Sequence, residues 1–401
     1  MIILVEGIVL NGGHVQQPVI VEAVRTPFGR RNGMLKDHHP AVLASTVMVE
    51  ALRRAGVRPG EVEQVVWGCV TQVGDQGSNI GRIAWLSAGL PVETPSTTVD
   101  VRCGSSQQAI HFGANLIATG TCEVVLAGGV ESMSRVPLGS ATHVNDGDPW
   151  PPEYRERFEV VPQGISAELV ARKYGITREA MDRFSVDSHH RADEASNKRY
   201  LRSQMVSMPN AEGNAEVPLR DEGIRSDTSY EAVSKLKPAF DPAHGITAGN
   251  SSQITDGAAA ILLMSADRAA KAGIPARARI IAQAVVGVDP VLMLEGPIPA
   301  SHAVLKKAGL SLTNMDLFEV NEAFASVPLA WIKVTGADPE LVNPNGGAIA
   351  IGHPIGASGA RLMCHLLYEL ERRDLRYGLE AMCCGGGIGT ATIIDRKPAP
   401  S

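Results

Sequence analysis

Cys103 stands in Val101-Arg102-Cys103-Gly104-Ser105-Ser106, where an extended run gives way to small residues that open a helix. A thiol at a helix N-terminus meets free backbone N–H groups and the positive end of the dipole. Both favour thiolate and hence nucleophilic attack. A buried structural cysteine is the plain alternative, and the strand–turn–helix setting leaves the two readings side by side. His353 lies in the glycine-rich run from Asn345 to Gly359, with Pro354 fixing the turn and a helix beginning just after it. A lone histidine is more often a surface or satisfied core residue, but an imidazole held this way can activate a thiol or donate to an oxyanion. Cys383 ends an apolar strand before Cys384-Gly385-Gly386-Gly387. Successive glycines expose N–H groups able to hold an oxyanion, or simply make a tight hairpin. The adjacent cysteines also raise a redox or metal centre, but no further ligand cluster accompanies them. Asn321, in Asn321-Glu322-Ala323-Phe324, can position a water or cap a helix.

The elements that must hold these residues alternate between strand-like and helix-like patterns, which predicts mostly parallel sheets covered by helices. Strands are expected over Pro18 to Val24, Val62 to Val70, Val99 to Arg102 (running straight into Cys103), Glu123 to Ala127 and Leu317 to Val320. Helices are expected over Ala41 to Ala55, Ser106 to Thr119 and Ser358 to Leu370. The helix ending at Ala55-Gly56-Val57 and the strand into Gly68 are matched by Ala308-Gly309-Leu310 and the strand before Asn321 at the same spacing. The order predicts an internal duplication. Between the halves, Asp146 to Arg157 reads as surface loop, and Ser166 to Lys198 as strongly helical with Thr177 as N-cap. The expected division is 1–134 plus 248–275 for one half, 135–247 for an insertion over the site, and 276–401 for the other half.

The chain has 401 residues, 44% hydrophobic and 20% charged, which suits two similar halves of a soluble enzyme. A net charge of −6 gives no support to nucleic-acid binding. The spacing of Cys69, Cys103, Cys122, Cys364, Cys383 and Cys384 fits neither a zinc pattern nor a secreted disulfide framework, so reduced thiols are expected. The apolar stretches Ile2 to Val5 and Ile8 to Leu10 are interrupted by Glu6 and lack a basic flank, so they make a poor signal peptide. No apolar run is long enough to span a bilayer. A cytoplasmic protein with no membrane partner is expected.

Taken together, Cys103-Gly104-Ser105, Asn321 to Phe324, Gly352-His353-Pro354 and Cys383-Cys384-Gly385 resemble the four signatures of the thiolase family, in order. Further matches are Val24 to Gly29, Gly128 to Ser134, Thr247 to Ser252 and Asp256 to Ala260, so the resemblance runs from about Val19 to Asp395. It implies an α/β fold of duplicated βαβαβαββ halves in α-β-α-β-α layers, with a large insertion that covers coenzyme A. It implies an acyltransferase: CoA-dependent cleavage of 3-ketoacyl-CoA, or the reverse Claisen condensation, by a ping-pong route through acyl-Cys103. His353 would take the Cys103 proton, Cys383 would act as acid and base at the α-carbon, and Asn321 would hold a water that completes an oxyanion hole with His353. The backbone N–H groups of Cys103 and Gly385 would form a second hole. Ala248 and Ser252 would contact the pantetheine arm, Arg225 the nucleotide end, and Met293 and Phe324 would line the acyl or pantetheine tunnel. The implied chemistry uses no metal and no permanently bound cofactor, with CoA and acyl-CoA as substrates, in a homodimer or homotetramer.

Three departures bear on the substrate. Ser106 and Gln107 replace Gly and Leu, which is expected to add polar groups beside the acyl site. Pro162-Gln163-Gly164 replaces the His-Met-Gly of small-substrate biosynthetic thiolases, and Cys384 replaces a bulkier aliphatic residue. They favour a degradative enzyme for a longer, branched or cyclic acyl chain, steroid-derived chains included, over a biosynthetic acetoacetyl-CoA thiolase. Related condensing enzymes lack the counterpart of Cys383. A thiolase-fold binding protein would be expected to have lost one of Cys103, Asn321, His353 and Cys383. Thioester hydrolysis remains open if water reaches the acyl-cysteine.

Overall fold

The computed structural model describes residues 15–142, 147–241 and 245–396. The apolar stretches before residue 15, and Asp146 at the start of the expected surface loop, lie outside these. The first half comprises β1 (Pro18–Arg25), β2 (Gly29–Arg30), α1 (Pro40–Ala55), β3 (Gln64–Gly68), α2 (Ile80–Ser87), β4 (Ser96–Val99), α3 (Ser105–Ala118) and β5 (Val124–Ser132). Then come α4 (Pro152–Arg155), α5 (Gln163–Lys173), α6 (Arg178–Asn197) and α7 (Tyr230–Val233), followed by β6 (Thr255–Ser265) and α8 (Ala266–Ala272). The second half comprises β7 (Ala278–Gly287), α9 (Pro297–Ala308), β8 (Leu317–Val320), α10 (Ser326–Thr335), α11 (Ala348–Ile351), α12 (Ser358–Arg372), β9 (Tyr377–Cys384) and β10 (Ile388–Asp395).

The duplication is visible in how the strands pair. In the first half β3 runs parallel to β5, which is antiparallel to β6, which is antiparallel to β1. In the second half β8 runs parallel to β9, then β10 and β7 follow antiparallel in the same order. The halves join where β1 pairs with β7 through Val19↔Arg279 and Ile20↔Ala278. The counterpart of β4 in the second half is reduced to one bridge, Phe318↔Val342. The sheets are therefore mixed rather than mostly parallel. Each half closes with a strand that turns back on its predecessor, and among named strands only β3/β4, β3/β5 and β8/β9 are parallel.

Each element follows from its residues. Helix α1 buries Leu43, Ala44, Val47, Met48, Ala51 and Leu52, the spacing of one apolar face. It stops at Gly56, whose φ of +67° lets its N–H reach back to Leu52 and Arg53, and Gly309 (φ +65°) ends α9 in the same way. Strand β6 is buried along its whole length, as expected of a sheet covered on both faces. Helices α3 and α12 pack on each other and on strands of both halves, making the central layer; α1 covers the first half and α9 the second from outside. The strand expected to run into Cys103 ends at Val99. Arg102 takes a left-handed φ of +51°, which no strand accommodates, and its N–H bonds Asp100 Oδ1 instead.

The intervening segment is clamped to the first half. Arg25 places both terminal nitrogens on Asp221 at 2.6 and 2.8 Å and its Nε on Gln204 at 2.9 Å, all fully buried. Asp221 also accepts from Phe28 N–H at 2.8 Å. Asn250 Nδ2 reaches Asp182 of α6 at 2.8 Å. Thr177 caps α6, accepting from Ala180 N–H. Among the described residues no helix is long and apolar enough to cross a membrane, and no His/Cys/Asp/Glu group is arranged to hold a metal. All six cysteines are free and buried.

Candidate active site

The turn before α3 carries Cys103 and the turn before α12 carries His353, so packing these two helices brings two distant sequence segments to one place. Ser106 Oγ accepts from Ala360 N–H at 2.9 Å across that contact. A methyl at Gly359 would come within 2.4 Å of Gln107 N, so only glycine permits this approach. Cys103 packs with Ile355, two residues past His353, and with Cys384.

Cys103 is 5% exposed on the floor of a cavity of about 520 Å³, within the ~300–1,000 Å³ typical of ligand pockets. Gly385, Met293 and Phe324 line the same cavity, and the intervening segment supplies much of the remaining wall, including Leu138, Trp150, Tyr154, Val161 and Phe240. Phe240 meets Phe324 edge-on at 6.1 Å. The helix start does not make Cys103 a thiolate. Burial pushes its pKa up to about 11, against the pull of Gly385 N–H, its own N–H, the Gln163 amide and Arg102. Desolvation outweighs the donors here, which corrects the expectation of a lowered pKa.

His353 is buried and held at both ring nitrogens. Ser358 Oγ lies 2.6 Å from Nδ1 and gives its own proton to Pro354 O at 2.9 Å. The serine must therefore accept from Nδ1–H, which leaves the lone pair on Nε2. Burial, with the charge of Arg361 adding, pulls the His353 pKa down to about 3. Asn321 Nδ2 stands 3.4 Å from Nε2, and Asn321 Oδ1 is buried with no partner among the described residues. Cys383, at 0% exposure, does not line the cavity; it precedes Cys384, which packs with Cys103. Burial first, then the charges of Cys103 and Cys384, push its pKa far up, so its thiol stays protonated. Gly385 to Gly387 form the β9–β10 hairpin turn, with Gly385 and Gly387 buried and Gly386 exposed.

Of the other expected contacts, Ser252 N–H bonds Ala323 O at 2.9 Å, next to Phe324, while Arg225 is exposed with its N–H on His189 Nδ1 at 3.1 Å. Ala248 is exposed; neither it, Ser252 nor Arg225 lines the cavity over Cys103. Ser106 and Gln107 place no polar groups in the cavity over Cys103. Both are fully buried on the inner side of α3, where Gln107 bonds Thr392 at 2.7 Å and also meets Thr390.

Three site residues escaped the sequence reading. Ser358 sits in the quoted glycine-rich run, five residues past His353, a spacing that puts it on the first turn of α12. Glu131, in Gly128 to Ser134, accepts from the N–H groups of Val70, Thr71 and Gly356 at 3.0 Å each, and from Gln76 Nε2 at 2.7 Å. It thereby ties the loop after β3 to the turn that carries His353. Gln163 stands out in sequence as a departure, but nothing there places its amide beside Cys103.

Comparison with known proteins bears on the whole arrangement. Residues 18–267 match the family described as thiolase, N-terminal domain, and residues 274–396 match thiolase, C-terminal domain. A steroid 3-ketoacyl-CoA thiolase of Mycobacterium tuberculosis is 42% identical over 396 residues, covering 96% of each chain. A 3-ketoacyl-CoA thiolase of Pectobacterium carotovorum is 43% identical over 394 residues, covering 95% of this chain and all of that one. The solved structure of a Bacillus anthracis acetyl-CoA acetyltransferase superposes with a TM-score of 0.88 at 39% identity, over 96% of this chain and 100% of that one. With both halves matched from end to end and the duplicated architecture shared, the chain belongs to the thiolase family.

Proposed function

We propose that this thiolase cleaves 3-ketoacyl-CoA with free CoA, giving acetyl-CoA and a shortened acyl-CoA, and runs the reverse Claisen condensation through the same groups. What supports the reading is the Cys103 thiol lining an apolar cavity beside the Gly385 turn, with α3 and α12 packed so that the Cys103 and His353 turns lie together, and a His353 tautomer that keeps its lone pair on Nε2. Cys103 and His353 rest as a neutral pair, so the thiol proton moves to Nε2 as Sγ attacks the β-keto carbon. The N–H groups of Cys103 and Gly385 receive the developing oxyanion, and the acetyl-CoA enolate leaves. Cys383, a protonated thiol, supplies the proton to the enolate carbon and recovers it in the synthetic direction. Asn321 Oδ1, a buried acceptor with no partner among the described residues, suits a water that holds the enolate oxygen together with His353. The CoA thiol then takes the acyl group from Cys103.

The acyl chain is longer, branched or cyclic. The volume of the cavity and its walls of Leu138, Trp150, Val161 and Phe240 support this, as do relatives named for 3-ketoacyl-CoA and steroid substrates. Residues 135–247 act as the cover over the CoA site, between halves formed by 1–134 with 248–275 and by 276–401. Arg225, Ala248 and Ser252 belong to the outer path of CoA. The protein works as a cytoplasmic homo-oligomer with reduced thiols.

The test is CoA-dependent cleavage measured across 3-ketoacyl-CoA substrates from acetoacetyl-CoA to long-chain and bulky cyclic ones, with Cys103→Ala alongside. Turnover that needs CoA, rises with acyl size and vanishes in the variant is expected. Strong preference for acetoacetyl-CoA would overturn the substrate assignment, and free-acid release in place of acyl-CoA would overturn thiolysis.

A further inference from the structure

Gln163 is the first residue of α5, in the intervening segment, far in sequence from every group assigned above. Its half-buried side chain lines the same cavity as Cys103 and Gly385. The amide nitrogen hangs over the glycine turn: a methyl on Gly385 would come within 2.8 Å of Gln163 Nε2. Gly385 therefore does more than free its own N–H, because the missing Cβ leaves the space that the amide occupies. The helix that carries Gln163 is seated closely, since a methyl on Gly164 would strike the Phe240 ring at 2.2 Å. A glutamine amide brings two N–H donors on a side chain that can follow a moving oxygen, where the two backbone donors are fixed.

We propose that Gln163 Nε2–H is a third oxyanion donor, acting with the N–H groups of Cys103 and Gly385 on the carbonyl oxygen of acyl-Cys103. The inference rests on the thiolase chemistry proposed above. In deacylation the CoA sulfur bonds the acyl carbon while its proton passes to the Cys383 thiolate that protonation of the enolate left behind. The carbonyl electron pair moves onto oxygen, where the three donors hold it. The pair then re-forms the carbonyl as the bond to Cys103 Sγ breaks, and that sulfur recovers from His353 the proton it gave up on acylation. One of the three donors is supplied by the intervening segment, so this segment takes part in the chemistry as well as covering the ligand.

Gln163→Met keeps the length of the side chain and removes both donors. Removal of an oxyanion donor typically costs about 10²–10³ in kcat, and with two donors remaining a loss of about 10–100-fold is expected here, with KM changed less than about threefold. The second readout is the infrared carbonyl band of acyl-Cys103 trapped in the absence of free CoA. Fewer donors polarise the carbonyl less, so the band moves to higher wavenumber in Gln163→Met. Unchanged kcat, or a lower kcat with an unmoved band, would overturn the assignment; the second outcome would make Gln163 a packing residue only. If Gln163→Met does not fold, Gln163→Asn, which keeps the amide but withdraws it by one methylene, carries the same band test. Absence of any acyl adduct on Cys103 of the wild-type protein by mass spectrometry would instead overturn the underlying thiolase chemistry.

Discussion

Cys103 and His353 are both held in their neutral forms by burial, one pushed up to about 11 and the other down to about 3. An exposed histidine base would lose activity as pH falls through its ordinary value near 6.5. With its pKa depressed, His353 keeps the Nε2 lone pair until pH approaches about 3, and Cys103 stays protonated until pH nears about 11. The acylation burst, measured without free CoA, should therefore be flat between about pH 5 and pH 9. An inflection near 6.5 would show that His353 is solvated during turnover. Ser358 sets the tautomer on which this depends. Ser358→Ala should lower kcat at least about tenfold by releasing the ring to the wrong tautomer, and cost about 1–3 kcal/mol by orphaning a buried N–H. Ser358→Thr should restore part of the rate, and stopped-flow acylation with thermal melts checks both effects. At this scale the sequence shows which residue types are present and where chain turns hold them. It does not show the balance between desolvation and N–H donors at Cys103, because that depends on atoms from Gly385 and Gln163 that only the fold brings near.

Helices α3 and α12 position the two turns, and their contact depends on residues too small to separate them. Gly359→Ala would put a methyl 2.4 Å from the backbone nitrogen of Gln107 and 2.7 Å from its Cβ. Backbone cannot yield as a side-chain tip does, so a loss of about 1–3 kcal/mol is expected from overpacking. The acylation rate should fall with it, because the turns of Cys103 and His353 shift together. Urea denaturation and burst kinetics on the same variant measure the two effects. Most of these elements are legible from periodicity: α1 buries the face its spacing marks, while α12 is buried on every side from Ser358 to Leu367 and β8 throughout. Where the reading fails, local geometry is the cause. At Val99 to Arg102 the pattern stays extended, while the left-handed Arg102 ends the strand early and turns Cys103 toward the cavity. Gln107 looks like an intrusion beside the acyl site in one dimension, yet it faces Thr390 and Thr392 of β10, which no helical period reveals.

Across the whole molecule the intervening segment is tied down by charge as well as by packing. The fully buried Arg25–Asp221 pair is satisfied by two direct bonds, by Gln204 and by Phe28 N–H. Asp221→Asn leaves a guanidinium buried without its counter-charge, which should cost about 3–5 kcal/mol of stability. Because the clamp joins the cover to the first half, the loss should also raise KM for long-chain substrates more than for acetoacetyl-CoA. A melt and a two-substrate kinetic comparison read both. The duplication itself is legible from the paired glycines Gly56 and Gly309, but the mixed strand directions are not, because hydropathy does not record which way a strand runs. That shared plan has a historical consequence. Asn321 follows Gly309 by the same number of residues as Gly68 follows Gly56, and α12 follows its own His353 turn as α3 follows Cys103. An ancestor built from two identical halves would have faced two equivalent half-sites across the seam. In the proposed mechanism the two copies divide the labour: one half carries the nucleophile and the other the base, and Gly68 stands where the second half holds its asparagine. On that mechanism reactivity is a property of broken symmetry, and neither copy suffices without the other.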